Sequence, residues 1–588
     1  MNSEILKIEQ LSSLLNKKWK LINFDNRNAI HLSQKFQLSS IVGKLLSIRN
    51  IKEENIDFYL NPNISHHIPN PRKIKDMDNA TKRVVEAIKK NQKIGIIADY
   101  DVDGSTSASI LYKFLKNYSS SITLKIPNRL VDGYGPNLKI MREMQSNKID
   151  LLFTLDCGTS SNNIIDHEEF KKIDVIVIDH HLSEFELPKV HSIINPNRLD
   201  DESDYKQMAA VGVTFLFLMS LRKELRNNNI FIKKQEPNLL SYLDLVALGT
   251  VCDVVDLKQF NRLFVIKGLE LIHKRYHKGI SKLIDNSKLN SPPSSQDLGY
   301  IVGPQINAAS RMDDSSLASK LLITNDIEQI ETISRKLYLL NEKRKLIESQ
   351  ILEAANAQAE KQINSKYILV HGENWHQGVL GIVASKLLDL YNKPIIVLSF
   401  LNDYGVGSAR SIDGVDLGSI ILNAKNNGLI LEGGGHAMAA GLKLNYKNLE
   451  NFKKFLNENF QSYEDHFFEK KINYDLIISV NDLNNRLLES LEMLEPYGKG
   501  NSEPYFIICD LKIDSIKILK NKHILIFFEN DLGNKIRGIC FNSIGTILGD
   551  YLEKYNQYKF YFGCTVTQDK YSNDNGPQLM IKDVMKID

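Results

Sequence analysis

Cysteine is scarce: the five in 588 residues, Cys157, Cys252, Cys509, Cys540 and Cys564, form no CxxC or CxxH pair. That excludes a disulfide framework and a structural zinc site, and it predicts a reduced, cytoplasmic protein. Long hydrophobic runs are missing too, since nothing approaches the ~18 apolar residues of a membrane span. The opening stretch, MNSEILKIEQLSSLL, carries acidic side chains where a secretory signal would be basic. Neither secretion nor membrane insertion is expected. Charge of one sign is in short supply as well: 74 Lys and Arg face 71 Asp and Glu, a net +3. With 43% hydrophobic and 25% charged residues, the chain reads as globular, neither disordered nor polycationic. Any nucleic-acid footprint must then be local. There is no tandem repeat and no low-complexity tract, and the length predicts roughly three to five domains.

Residues 1–75 are polar with helix-like stretches and end in NPNISHHIPNPRK, an N-terminal arm and linker. From 76 to 280 the pattern changes. MDNATKRVVEAIKKN has helical spacing, and KIGIIAD, IDLLFTLD and DVIVID are apolar runs that each end in aspartate. Runs alternating with helices mark a parallel α/β sheet whose active edge lies at the strand C-terminal ends. Residues 281–362 form a helical connector, because 315–362 contain no Gly or Pro and many helix formers. A second α/β lobe spans 363–460, with YILVHGE and PIIVLSF as strands and the Gly-rich GVGSARS and LEGGGHAMAAG as turns. Residues 461–588 hold several short strands and suggest a small barrel.

Asp99, Asp101 and Asp103 stand at i, i+2, i+4 after a strand, with Gly104 allowing a tight turn and Ser105 as N-cap of the next helix. Three like charges this close repel, and a divalent cation relieves the repulsion. An isolated DxDxD could equally be a solvated acidic turn. Two further strand ends repeat the chemistry, however: Asp156 in TLDCGTS, and Asp179 with His180 and His181 in VIDHH. A fourth run, LVALGTVCDVVDL, ends at Asp253. Oxygen-rich ligands with one or two imidazoles suit Mn²⁺ or Mg²⁺ better than zinc. Two ions sharing a carboxylate would activate a water and stabilise the leaving oxygen of a phosphodiester.

DYDVDG, LDCG, DHH and CDVVDL resemble the four motifs of the DHH phosphoesterase superfamily. The chain from about residue 45 onward is similar to the RecJ family within it, single-strand-specific 5′ to 3′ DNA exonucleases. The likeness runs on through IPNRLVDGYGP, GPQINAASRM, NWHQGVLGIVASK, VGSARS, GGGHAMAAG and EPYGKGNSEP. It implies two α/β lobes, the DHH domain and the DHH-associated domain, joined by long helices, with a C-terminal OB-fold. It also implies Asp101, Asp103, Asp156, His180 and Asp253 as ligands of two Mn²⁺ or Mg²⁺ ions, Asp156 bridging. Asp99 lies nearby as a catalytic residue, and His181 orients phosphate or assists proton transfer. Gln305, Ser310 and Asp256 depart from the family pattern, a departure assigned to substrate contacts, and YSNDNGPQLMIKD follows the pattern least.

Substrate identity must come from elsewhere. Ser408 and Arg410 alternate along an extended segment and could fork onto phosphate oxygens. Gly434, Gly435 and His436 offer a turn with free N–H groups, unless it is simple chain reversal. Arg129, Arg311 and Tyr134 are the remaining phosphate and stacking candidates, with a buried structural tyrosine as the alternative for Tyr134. Trp375 and His376 are taken as packing and loop-shaping residues. The tail interleaves Lys512, Lys517, Lys520, Lys522 and Arg537 with Phe527, Phe528 and Phe541, a stacking platform or a merely solvated face. The expectation is a monomer acting on single-stranded DNA in repair and recombination, with single-strand-binding protein and recombination helicases as partners. Its rivals are a DHH phosphatase for short oligonucleotides or cyclic dinucleotides, and a non-catalytic single-strand-binding replication factor, which missing metal aspartates would mark.

Overall fold

The computed structural model describes residues 8–119, 121–232, 234–289, 291–529, 535–569 and 575–587. The first seven residues of the arm and residues 571–574 of the YSNDNGPQLMIKD segment lie outside them. Among the described residues the arm carries one strand, β1 (Lys18–Leu21). Then come β2 (Ile94–Ala98), β3 (Ile122–Lys125), β4 (Leu151–Leu155), β5 (Asp174–Ile178) and β6 (Ser192–Ile194), paired all parallel in the order β3-β2-β4-β5-β6. Every residue of β2 and β4 is buried, because helices cover both faces, and so each reads as an unbroken apolar run. The register aligns Ala98, Leu155, Ile178 and Ile194. The residues that follow them, Asp99, Asp156, Asp179 and Asn195, therefore form one row along the carboxyl edge.

The helix Val102–Leu115 leaves β2 through a cap that differs from the expected one. Asp101 is the N-cap, accepting from Gly104 N at 3.0 Å, and Ser105 lies inside the helix. Gly104 is needed for closeness and not for a turn, since a Cβ there would sit 2.3 Å from the Asp99 carbonyl oxygen. The helix Leu243–Cys252 crosses this one at Gly249, where a Cβ would meet Thr106 Oγ1 at 2.4 Å. That close crossing delivers Asp253, at the helix C-terminus, to the row. The first lobe's core runs on through Ile280, Leu298 and Ile306 to Leu337. The apolar faces of the short helices after residue 280 thus belong to this lobe, and only the rest of the long helix Ile327–Ala359 bridges to the second.

The second lobe holds β7 (Ile368–Glu373), β8 (Ile395–Leu401), β9 (Tyr404–Arg410), β10 (Glu432–His436) and β11 (Ala439–Asn445), ordered β10-β11-β9-β8-β7. The glycine-rich segments expected as turns are strands. Their glycines admit close neighbours: a Cβ on Gly407 would reach Leu398 at 2.4 Å, and one on Gly435 the Ala439 carbonyl at 2.3 Å.

After β12 (Lys471–Tyr474), which pairs with β1, the tail adds β13 (Leu476–Ile477), β14 (Phe506–Ile508), β15 (Lys512–Leu519), β16 (His523–Glu529), β17 (Lys535–Cys540), β18 (Lys559–Gln568) and β19 (Pro577–Ile587). These seven form one sheet ordered β13-β14-β18-β19-β17-β16-β15. The arm does not stand apart as a linker. Its Leu32, Val42, Leu45 and Ile56 share a core with Leu487, Phe506, Ile526 and Phe562 of the tail. Arg262, buried in the first lobe, donates to the carbonyls of Tyr59 at 3.1 Å and Leu494 at 3.0 Å and so fastens all three regions together. No helix among the described residues is long and apolar enough to cross a membrane.

Candidate active site

Five sequence-predicted ligands meet at the carboxyl edge of the first sheet. His180 Nε2 stands 3.3 Å from Asp156 Oδ1, 3.5 Å from Asp253 Oδ2 and 3.9 Å from Asp103 Oδ2. Its ring also bonds the Met208 backbone, the second contact that fixes which nitrogen a ligating histidine presents. Asp103 is pinned by two backbone donors, Ala210 N at 2.6 Å and Val211 N at 2.8 Å. Asp156 is held in the left-handed region at φ 58, and its own carbonyl accepts the Tyr134 hydroxyl at 2.8 Å.

Donor atoms of Asp99, Asp101 and Asp156 lie within 4.8 Å of one another, as do those of Asp103, His180 and Asp253, and those of Asp156, His180 and His181. Asp99 Oδ1, Asp156 Oδ1, Asp253 Oδ2 and His180 Nε2 are buried without a hydrogen-bond partner. Four orphaned polar atoms converging on one spot are costly unless something cationic joins them. Oxygen donors with an imidazole are what Mn²⁺ or Mg²⁺ takes, so these residues fit such ions. Asp99 falls among the donors themselves and not beside them.

The electrostatics agree. Burial and mutual repulsion raise the carboxyls of Asp99, Asp103 and Asp156 well above the usual range, and burial with the Asp101 charge lifts Asp253 to about 7. Burial and the neighbouring His181 lower His180 to about 4, which keeps it neutral as a ligand must be. Asp179 is different: it accepts from His181 Nδ1 at 2.8 Å, His180 N at 2.8 Å and Thr159 N at 3.1 Å. Burial would raise its carboxyl, but these partners hold it below the ordinary range. In turn burial lowers His181, and the bond to Asp179 outweighs that and lifts the ring to about 9. Asp179 is thus an orienting residue.

Of the substrate candidates, the structure gathers most. Arg129 stacks over the Tyr100 ring at 5.1 Å. Burial, then the Arg129 charge, lowers both Arg311, to about 10, and Arg410, so three guanidiniums press on one another beside the acidic centre. The helix Gln377–Tyr391 reaches them through glycines: a Cβ on Gly378 would meet the Arg311 carbonyl at 2.5 Å, and one on Gly381 would meet Arg410 Nη2 at 3.1 Å. Register sets His436 opposite Ala439 and Ala439 opposite Arg410, and likewise Gly434, Gly441 and Ser408 in a row. Opposed residues share a face, so Ser408, Arg410 and His436 line a floor of small residues, with His436 and Arg410 about 10 Å apart across two strand spacings. Gly434 and Gly435 lie in the exposed edge strand β10 and not in a turn.

Other expectations change. The Tyr134 hydroxyl is spent on Asp156 and on His181 Nδ1, at 3.2 Å, so it braces the site and leaves only its exposed ring for stacking. Gln305 is buried and donates to Ser287 Oγ at 2.8 Å, and Ser310 is buried as well, so these departures concern packing and not substrate. Phe528 is fully buried in the tail's core, which leaves Phe527 and the exposed Phe541 as stacking surfaces. Sequence reading missed Asn195, whose Nδ2 donates to the His181 carbonyl at 2.9 Å and to Thr159 Oγ1 at 2.9 Å. It also missed Asn197, bonded to the His180 carbonyl at 2.5 Å. The signal was there, an Asn-Pro-Asn turn at the end of another apolar run. Lys499 in EPYGKGN, whose charge acts on Asp253, carried no such mark.

A model of the DHH family, N-terminal domain, matches residues 93–250, one of the DHHA1 domain residues 364–462, and one of the RecJ OB domain residues 474–583. The chain is similar to the single-stranded-DNA-specific exonuclease RecJ of Haemophilus influenzae, 33% identical over 80% of this chain and 85% of that protein. Its counterpart in Bacillus subtilis is 29% identical over 96% of this chain and 70% of that protein. Among solved structures, RecJ from Thermus thermophilus in complex with Mn²⁺ shares the fold with a TM-score of 0.81 at 22% identity, covering 97% of this chain and 80% of that one.

Proposed function

The chain belongs to the RecJ family, and from that premise we infer that it is a Mn²⁺- or Mg²⁺-dependent exonuclease that degrades single-stranded DNA from the 5′ end to mononucleotides. The observation that carries the reading is the convergence of orphaned Asp99, Asp156, Asp253 and His180 atoms on one spot at the sheet edge. Asp103, His180 and Asp253 would hold one ion and Asp99 and Asp101 a second, with Asp156 between the two sets. When bound, such ions supply a water nucleophile at neutral pH and charge stabilisation for the leaving oxygen.

The chain's own groups do the rest. Asp179 orients the His181 ring toward the phosphate. Arg129, Arg311 and Arg410 receive the negative charge of the strand. Ser408, His436 and the small-residue floor between them grip its end, while the exposed lysines of the tail carry the remainder. Every residue at the centre comes from one chain, so a monomer suffices. The five thiols are free among the described residues, in keeping with a reducing cytoplasm, and the family likeness supplies single-strand-binding protein and recombination helicases as partners in repair. The domain order carries over, with the helices after residue 280 packed into the first lobe and the arm and tail as one packed body.

The test is digestion of 5′-labelled and 3′-labelled single strands, a duplex of the same sequence and a dinucleotide with Mn²⁺. The expected first product is a labelled mononucleotide from the 5′-labelled single strand. Its first appearance from the 3′ label would overturn the polarity, and equal rates on the duplex would overturn the strand preference.

A further inference from the structure

Between the arm and the first lobe lies a cavity of about 740 Å³. Five consecutive residues at the start of the helix Gln259–His273 line it: Lys258, Gln259, Phe260, Asn261 and Arg262. This helix opens with no side-chain cap and no acidic residue in its first turn, so free N–H groups and the positive end of its dipole face the cavity. Asn261 adds an acceptor that is independent of the helix end. It is 3% exposed, and its Nδ2 donates to the carbonyls of Gln207 at 2.6 Å and Asp256 at 2.9 Å. Its Oδ1, fixed by those bonds, is buried with no partner.

Cations and rings surround the helix start. Lys206 lines the cavity, as does Lys258, which also touches Asp256 Oδ2 at 3.2 Å. Phe58 lies 5.6 Å from Phe260, which lies 5.8 Å from Tyr205, making an aromatic wall. Two acids share the rim, Glu202 and Asp204, and Asp204 is paired with Lys73 at 3.0 Å.

We propose that this cavity is a binding site for a nucleoside 5′-monophosphate, held apart from the metals. Its phosphate rests on the helix start between Lys206 and Lys258, its base lies on the Phe58–Phe260 wall, and a sugar hydroxyl or base amino group donates to Asn261 Oδ1. The volume lies within the roughly 300 to 1,000 Å³ of small-ligand sites. The assignment rests on the exonuclease reading, because a mononucleotide is what that reaction releases. Met208 lines the cavity while its backbone bonds His180, and the next residues, Ala210 and Val211, hold Asp103. Product in the cavity therefore bears on the segment that fixes two metal ligands, and slows the enzyme without competing for the metals.

Calorimetric titration of dAMP, deoxyadenosine and inorganic phosphate into the full chain with chelator, as wild type and as Asp156→Asn, removes the metal centre from the measurement. dAMP is expected to bind both alike, with the nucleoside and phosphate at least about tenfold weaker. The double variant Lys206→Ala, Lys258→Ala should weaken dAMP about tenfold or more and relieve product inhibition, with hydrolysis at low product unchanged. Unchanged dAMP affinity in that variant would overturn the site, and phosphate binding as tightly as dAMP would mean an adventitious ion only. Failure of the exonuclease reading shows separately, as wild type that leaves single strands intact, and does not alter the dAMP titration.

Discussion

Asp156 is the residue on which the two-ion proposal turns, since its carboxylate belongs both to the Asp99 and Asp101 set and to the His180 and His181 set. Asp156→Asn keeps the shape and removes the charge that would hold two cations together. Hydrolysis should fall at least about a thousandfold while folding and DNA binding persist, a loss of several kcal/mol in transition-state stabilisation. A steady-state assay beside a gel-shift measurement reads both, and substantial residual activity would sink the two-ion assignment. The same crowding has a pH signature. A carboxyl raised in the folded state, as Asp253 is to about 7, contributes stability that is fully present below its ordinary pKa and lost as pH rises through the raised value. The metal-free protein therefore loses stability on the alkaline side, and that is where the ions, binding the ionised ligands, restore most. The rise in Tm on adding Mn²⁺ should be larger at about pH 8 than at about pH 6, and equal shifts would mean that the ions sit elsewhere.

At the scale of elements, β9, β11 and β10 act as one surface. Register lines Arg410 and Ser408 of β9 up with Ala439 and Gly441 of β11 and with His436 and Gly434 of β10, so a guanidinium stands at one side of a floor too small-chained to obstruct a strand end. A 5′-phosphate carries more charge than an internal phosphodiester, and a charge-assisted fork rewards the difference. Arg410→Ala should slow cleavage of 5′-phosphorylated strands by about 10- to 100-fold more than that of 5′-hydroxyl strands, with Arg410→Lys rescuing only part. Equal losses on both ends would make Arg410 a general backbone contact. This surface also shows what the sequence could and could not disclose. The row of Asp99, Asp156 and Asp179 was legible, because each ends an apolar run and parallel register does the rest. Asp253 was legible as a residue, but its route was not, since it arrives at the end of a helix through the Gly249 crossing. Gly407 and Gly435 were misread as turn residues: a glycine that admits a neighbour's side chain or carbonyl looks, in one dimension, like a glycine that reverses the chain. Asn195 ends an apolar run as the aspartates do, but its work, donating to backbone and to Thr159, needs no charge, so the run ends without the acidic mark of the others.

The whole molecule is closed by contacts between its two ends. Apolar residues of the arm and tail share a core, β1 pairs with β12, and the buried Arg262 clamps carbonyls from both. A chain cut after about residue 465 would keep every proposed metal ligand but expose Leu32, Leu45 and Ile56, about 1.5 to 3 kcal/mol of lost burial for each side chain. It should unfold at lower temperature or aggregate, so truncation cannot isolate the tail's role in binding. Surface charge can. β15 is an edge strand with exposed Lys512 and Lys517, and the hairpin that joins it to β16 turns through Lys520 and Asn521, both at positive φ, to Lys522. Lysines on an edge have a bland purpose, keeping another strand from adding there. They have a second purpose if the strand of DNA runs along this face with its bases on Phe541. Salt separates the two. A lysine that neutralises a phosphate releases a counterion, about 0.7 in the slope of log affinity against log salt for single strands. Replacing Lys517, Lys520 and Lys522 with alanine should then flatten that slope by about 2 and weaken long strands far more than strands of a few nucleotides, with Tm nearly unchanged. An unaltered slope would leave these lysines as guards of the edge and send the search for the strand's path to the opposite side of the tail's sheet.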